Sequence, residues 1–171
     1  MRLFIAVNFN DETRLRLLAL RDELSGKSQR GNFTAPENLH LTLAFIGEVS
    51  PKKIDTIKMI METVTFAPFA AAVERLGTFS RGTLWWAGLC ENEPLMNLQR
   101  EVEHKLALCG FAMDGRKYSP HVTLGREIVT KAKPWHIEPF GETISTIDLM
   151  KSERINGKLT YTAIYSKKSE E

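Results

Sequence analysis

The chain has 171 residues, of which 43% are hydrophobic and 26% charged, with a formal net charge of +2. That is the composition of an ordinary globular protein long enough to bury a sizeable core, as one domain or as two small lobes sharing an interior. A balance so near neutral excludes none of the usual partners and does not by itself mark a nucleic-acid binder. The apolar start, Met1 to Val7, meets polar Asn8 too soon for a signal peptide or a membrane span, and no other run approaches the ~18 apolar residues a span needs. A cytoplasmic protein is expected. Cys90 and Cys109 form no CxxC or zinc-type spacing and read as two reduced thiols.

Leu3 to Phe9 is apolar on both alternating faces, the pattern of a central buried strand. Asn10-Asp11 supplies a helix N-cap, Leu17, Leu20 and Leu24 recur at helical spacing, and Gly26 ends the helix. Lys27 to Asn38 is polar, contains Gly31 and Pro36, and reads as a loop. It leads into a motif strand from Leu39 to Gly47. Ser50-Pro51 marks a second helix with Ser50 as cap and a buried stripe of Ile54, Ile57, Met61 and Val64. Phe69–Gly77 and Thr83–Cys90 form a hairpin around Ser80-Arg81-Gly82. A third helix follows Asn92-Glu93-Pro94, buries Leu95, Leu98, Val102 and Leu106, and stops at Gly110. A second motif strand runs from Tyr118 to Arg126. Beyond a loop holding Pro134 and Pro139, strands from Glu142 to about Arg154 and from Lys158 to about Lys167 flank Asn156-Gly157, a type I′ turn signal. The tail after Lys167 is expected to fray. The order implies an α+β fold, largely antiparallel, in two lobes with a cleft between them.

The two motif strands carry His40-Leu41-Thr42-Leu43 and His121-Val122-Thr123-Leu124, with the histidines 81 residues apart. On a strand, alternate residues share a face. Each motif therefore presents an imidazole and a hydroxyl together and points its apolar residues at the core. Two imidazoles facing one cleft suit general acid–base catalysis, because histidine titrates near ~6.5 and one ring can be neutral while the other is protonated. Threonine hydroxyls beside them can donate to phosphate oxygens, and phosphoryl transfer asks little more than positioning and charge stabilisation. No metal or other cofactor is required. A zinc site lacks a third ligand at useful spacing, since His104 falls mid-helix and His136 in the Pro-flanked loop.

These stretches resemble the RNA 2′,3′-cyclic phosphodiesterases, also called 2′-5′ RNA ligases, of the two-histidine (2H) phosphoesterase superfamily. The resemblance rests on Arg2 to Ala6, Pro36 to Gly47, Leu84-Trp85, Ser119 to Arg126 and the Gly157–Tyr161 hairpin, and covers nearly the whole chain. It implies a bilobal, pseudo-symmetric fold of largely antiparallel sheets with outer helices and a central cleft, forming a single domain over residues 1–171. It also implies metal-independent hydrolysis of a cyclic phosphate on an RNA end to a 2′-phosphate. Carried over by motif position, His40 and His121 are the acid–base pair, with His40 as acid to O3′ and His121 as base. The pseudo-symmetry leaves the reverse assignment open. Thr42 and Thr123 hold the phosphate, Phe45 contacts the terminal base and Arg126 lies near phosphate.

Strict alternation puts Phe45 and Arg126 on the opposite face from their histidines, so each needs a bulge, twist or strand end to reach the cleft; for Phe45 a place in the core is the competing reading. Trp85 and Trp86 face opposite sides of one strand, and one of them is a candidate stacking surface. Lys27, Arg30, Arg116 and Lys117 are candidate backbone contacts or solvated charge, and Phe33 is a loose match to an aromatic before the first motif. The partner implied is an RNA end, with no membrane and no obligate protein partner, hence a monomer. Two alternatives stand beside this reading. One is a 2H enzyme for small cyclic nucleotides, ADP-ribose cyclic phosphate or 2′-5′ linkages, including reversible ligation. The other is a non-catalytic RNA-end binder.

Overall fold

A computed structural model describes residues 1–171. Strand β1 (Arg2–Val7) is buried on both faces, with Leu3, Ile5 and Val7 in the main core and Phe4 and Ala6 in a smaller cluster on the other side. Helix α1 (Asp11–Gly26) starts at Asn10, whose side chain accepts from the Thr13 amide at 2.8 Å. Such a cap contributes about 1 kcal/mol. Leu17, Leu20 and Leu24 form its buried stripe.

Residues 28–33, expected as loop, form strand β2 (Ser28–Phe33). Its sequence is polar because it lies half-exposed at a sheet margin, so there was no apolar alternation to read. Gly31 is there for close approach rather than for a turn: a Cβ on it would lie 2.7 Å from Ile128 Cγ1. A short 3₁₀ turn at Pro36–Asn38 precedes β3 (Leu41–Glu48). Ser50 makes no side-chain cap; Pro51–Lys53 is a 3₁₀ turn and α2 (Ile54–Thr63) begins only after it, with Ile57, Ile60 and Met61 buried and Ile54 only partly so. Strands β4 (Phe69–Phe79) and β5 (Leu84–Leu89) are the expected hairpin. Asn92 caps α3 (Glu93–Leu108) by accepting from the Leu95 amide at 3.1 Å, and Gly110 follows it with φ +89°.

Strand β6 (His121–Thr130) carries the second motif. The Pro-containing segment thereafter is not a loop but β7 (Trp135–Ile144), which tolerates Pro139 because it lies at the sheet edge. The long strand expected from Glu142 is thus the end of β7 followed, after Ser145, by β8 (Thr146–Ile155). The latter pairs with β9 (Lys158–Lys168) through Asn156 and Gly157, both at positive φ as a type I′ turn requires. The tail is tied down rather than frayed: the amides of Ser169 and Glu170 donate to Ser145 and Phe66 carbonyls, each at 2.8 Å.

All pairings are antiparallel, and the sheet order is β7-β4-β5-β6-β3-β1-β8-β9, with β2 also paired to β6. One half has five strands (β7, β4, β5, β6 and β2) and the other four (β3, β1, β8 and β9), and the two motif strands adjoin where the halves meet. The halves meet at a single ladder pair, Leu41 with Val122. All three helices bury their apolar stripes in one continuous core with Leu41, Leu43, Trp85, Val122 and Leu124, on one face of the sheets. The motif histidines and threonines are on the other. No helix is long and apolar enough to cross a membrane.

The closest strand packing gives a direct test. A Cβ on Gly141 would sit 1.8 Å from the Ala71 carbonyl oxygen, inside the β4–β7 ladder. Gly141→Ala is expected to destabilise the fold by at least about 1–3 kcal/mol, the usual cost of overpacking. Urea unfolding reads it out, and an unchanged midpoint would contradict the close approach.

Candidate active site

The geometry of the site follows from one register. Pairing Leu41 with Val122 in an antiparallel sense sets Thr42 opposite His121 and His40 opposite Thr123, all four on the face away from the core. Each imidazole is fixed in the same way. His40 Nδ1–H donates to the Asn38 carbonyl, and His121 Nδ1–H to the Ser119 carbonyl, each at 2.7 Å and each two residues upstream. Because a carbonyl only accepts, both neutral rings carry their proton on Nδ1 and leave Nε2 as the basic atom. The rings then differ: His40 Nε2 lies 2.9 Å from Thr42 Oγ1, whereas His121 Nε2 has no protein partner.

The alternation problem at Phe45 and Arg126 is resolved by two bulges of the same kind. In β3, Ala6 pairs with Thr42 but Ile5 with Ala44, so Leu43 and Ala44 both turn to the core and Phe45 returns to the histidine face. In β6, Trp86 pairs with Thr123 but Trp85 with Gly125, which turns Leu124 and Gly125 inward and brings Arg126 round. Phe45 is 49% exposed and its ring lies 5.0 Å from the Arg2 guanidinium, so the core reading of this residue is excluded. Burial lowers the pKa of His121 and Arg126 stands near enough to add to that shift; burial raises the pKa of Tyr161 and Arg126 partly opposes it.

The same pairing distinguishes the tryptophans. Trp85 is 1% exposed, packs 5.8 Å from Trp135 and donates its Nε1–H to the Gly82 carbonyl. Trp86 is on the histidine face, its ring centroid 6.3 Å from His121, laid flat over Gly77 and Gly88; a Cβ at Gly77 would meet the indole at 2.3 Å. Each histidine also has an aromatic edge against it: Tyr161 at 5.2 Å and 88° beside His40, and Phe79 at 5.1 Å and 90° beside His121, with Phe4 5.0 Å from His40. Phe4, Phe79 and Arg2 went unassigned in the sequence. Only Phe4 left a signal there, as the large apolar residue on the second face of β1.

Burial depresses the pKa of both imidazoles. For His40 the Asn38 carbonyl opposes the shift and His121 adds to it; for His121 the Ser119 carbonyl opposes it and Arg126 adds to it. Neither ring has a carboxylate partner. The free site is therefore a pair of neutral bases beside cationic Arg126 and Arg2, suited to an anion whose arrival favours protonation.

Other sequence candidates lie elsewhere. Arg116 is neutralised by two-point contact with Asp114, Lys27 lies over Trp135 near Glu23, and Arg30 and Lys117 are exposed. Phe33 packs against the core. His104 and His136 join no cluster of three or more potential metal ligands.

With this geometry in hand, known proteins provide a comparison. The family of LigT-like phosphoesterases matches over residues 7–86 and 88–161. A protein of Archaeoglobus fulgidus named RNA 2′,3′-cyclic phosphodiesterase is 36% identical over 151 residues, 83% of this chain and 85% of the relative. One of the same name from Escherichia coli is 29% identical over 167 residues, 95% and 93% of the two chains. The crystal structure of E. coli LigT complexed with 3′-AMP superposes with a TM-score of 0.87 at 25% identity, over 99% of this chain and 98% of that one. The chain belongs to the LigT-like, two-histidine phosphoesterase family.

Proposed function

We propose that the protein hydrolyses the 2′,3′-cyclic phosphate at an RNA end to a 2′-phosphate and a free 3′-hydroxyl, by acid–base catalysis between His40 and His121 and without a metal ion. The observation that carries this reading is the opposed register of the two motifs, which sets each anchored imidazole across from the other motif's threonine. The name shared by the relatives supports the substrate.

His121 is the general base. Its Nε2 is unencumbered, and Arg126 disfavours its cation. It takes a proton from water as the water oxygen bonds to phosphorus. His40 is the general acid. As imidazolium its Nε2–H is stabilised by the Thr42 hydroxyl, which can accept as well as donate. It delivers the proton to O3′ as the P–O3′ bond breaks; this leaves His121 protonated and His40 neutral, and proton exchange with solvent restores the starting pair before the next turnover. Thr42 and Thr123 donate to the non-bridging oxygens, and Arg126 offsets charge developing there. Phe45, beneath Arg2, offers the terminal base an apolar face.

The decisive experiment is turnover of a short RNA with a cyclic phosphate end, in EDTA, for the wild type, His40→Ala and His121→Ala. Each variant is expected to lose about 10²–10⁴-fold in kcat, the usual worth of a positioned proton-transfer group, and the wild-type product carries a 2′-phosphate. Inactivation by EDTA refutes the metal-free mechanism. Binding without turnover makes the protein an RNA-end binder. Preference for small cyclic nucleotides, with no salt dependence, removes RNA as the substrate.

The electrostatics make a second prediction. Both imidazoles titrate below the ordinary histidine value of 6.5 in the free protein, so the kcat/KM profile, which reports free-enzyme groups, is centred on the acid side of that value. Removing the cation in Arg126→Gln raises the pKa of His121, seen by NMR titration of the ring, and moves the corresponding limb of the profile to higher pH. A His121 titration unchanged in this variant would show that Arg126 does not act on the ring.

A further inference from the structure

The two bulges that reshape the motif strands also expose backbone. A bulge interrupts the ladder locally and leaves carbonyls in need of donors, and a buried carbonyl left without one costs about 1–3 kcal/mol. In both motifs those donors come from outside the motif's own strand pairings. In β3 the Thr42 carbonyl accepts from Tyr118 Oη–H at 2.7 Å, and the Leu43 carbonyl from the buried Gln99 Nε2 of α3 at 3.3 Å. In β6 the Thr123 carbonyl accepts from Thr34 Oγ1–H at 2.9 Å, and the Leu124 carbonyl from the Thr34 amide, also at 2.9 Å.

The arrangement is reciprocal. Tyr118 stands three residues before His121 yet holds the first motif; Thr34 stands six residues before His40 yet holds the second. The segment delivering each histidine is thus fastened, through a hydroxyl, to the backbone of the opposite motif's threonine. The fastening matters because the motif strands share only the Leu41–Val122 ladder pair. One pair fixes register but leaves the strands free to twist or splay, and splaying would carry each histidine away from the opposing threonine. Both hydroxyls are themselves well anchored. The Tyr118 ring is largely buried, with its phenol pushed to a higher pKa by that burial, so it stays a donor. The Thr34 carbonyl accepts from Arg21 Nη1 at 2.8 Å.

We infer that Tyr118 and Thr34 are positioning residues: through the carbonyls of Thr42 and Thr123 they hold the two motifs in the alignment that catalysis uses. The inference rests on the role proposed above for the two threonines. Each acts through the carbonyl that its hydroxyl donates to.

Tyr118→Phe and Thr34→Val each remove one hydroxyl with little change of shape, and Thr34→Ser restores it. Turnover of the cyclic-phosphate RNA is measured for these three, for Thr42→Ala and Thr123→Ala, and for the four double variants that combine Tyr118→Phe or Thr34→Val with either threonine change. Tyr118→Phe and Thr34→Val are expected to lower kcat about 10–100-fold, as a displacement of about 1 Å does, while Thr34→Ser stays near wild type. The decisive reading is the coupling. Tyr118→Phe should cost little further in Thr42→Ala but its full factor in Thr123→Ala, and Thr34→Val the converse, because neighbours acting through one group are non-additive. General loosening of the fold would penalise all four doubles alike and would overturn the inference, as would wild-type turnover in Tyr118→Phe and Thr34→Val. If Tyr118→Phe fails to fold, the Thr34 series alone decides. If Thr42→Ala and Thr123→Ala turn over normally, the proposed role of the threonines falls first and this inference with it; if only they are impaired, this inference fails alone.

Discussion

Everything at the site depends on one contact of backbone with backbone, the pairing of Leu41 with Val122. The two halves of the molecule are antiparallel sheets, of five strands and of four, each with its own ladder. The motif strands are the margins at which those ladders end. Joining the margins at the central apolar residue of each motif, and in antiparallel sense, gives a two-fold arrangement in which every histidine faces a threonine. A slip of one residue would turn the motif side chains over and bury imidazoles where Leu41 and Val122 now sit. The apolar pair enforces the register because both residues are buried in the shared core.

The register alone would not complete the site. Regular pleating sends the residue five positions beyond each histidine to the core side, where a solvated arginine cannot be accommodated unpaired. The bulges after Thr42 and Thr123 reverse that parity at the same place in both halves, which brings Phe45 to one flank and Arg126 to the other. Equivalent positions thereby acquire different chemistry, an aromatic face on one side and a cation on the other. The same asymmetry reaches the histidines. Arg126 acts on His121, while Thr42 engages His40, so two rings with matching anchors have different charged and hydrogen-bonding neighbours.

How much of this was legible in the sequence depended on the range of the signal. The helices announced themselves through local chemistry: Asn10 and Asn92 as caps, leucines at helical spacing and Gly110 as stop. The motifs were legible because a histidine and a threonine two apart leave no doubt about sharing a strand face. Strand β2 was not legible, because its order comes from a partner about a hundred residues away and its own residues are polar. Strand β7 was hidden by Pro139, which an edge tolerates and an interior strand does not. The bulges, too, were out of reach. Nothing in Leu43-Ala44 or Leu124-Gly125 marks two successive inward residues until the neighbouring strands are known, so Phe45 and Arg126 read as facing the wrong way.

The aromatic surroundings explain why such a site can dispense with a carboxylate beside either imidazole. Phe4, Tyr161, Phe79 and Trp86 pack around the rings and partly dehydrate them, which disfavours the imidazolium in the resting state. A carboxylate partner would cancel that effect and hold one ring protonated whether or not a substrate was present. With carbonyl anchors instead, the orientation of each ring is fixed at modest electrostatic cost, and the charge that favours protonation must arrive with the ligand. In the proposed reaction an anionic phosphodiester placed between the rings supplies it. On the proposed mechanism the pair is neutral when the site is empty and becomes an acid–base pair when it is filled, with Arg126 and Arg2 supplying positive charge close by.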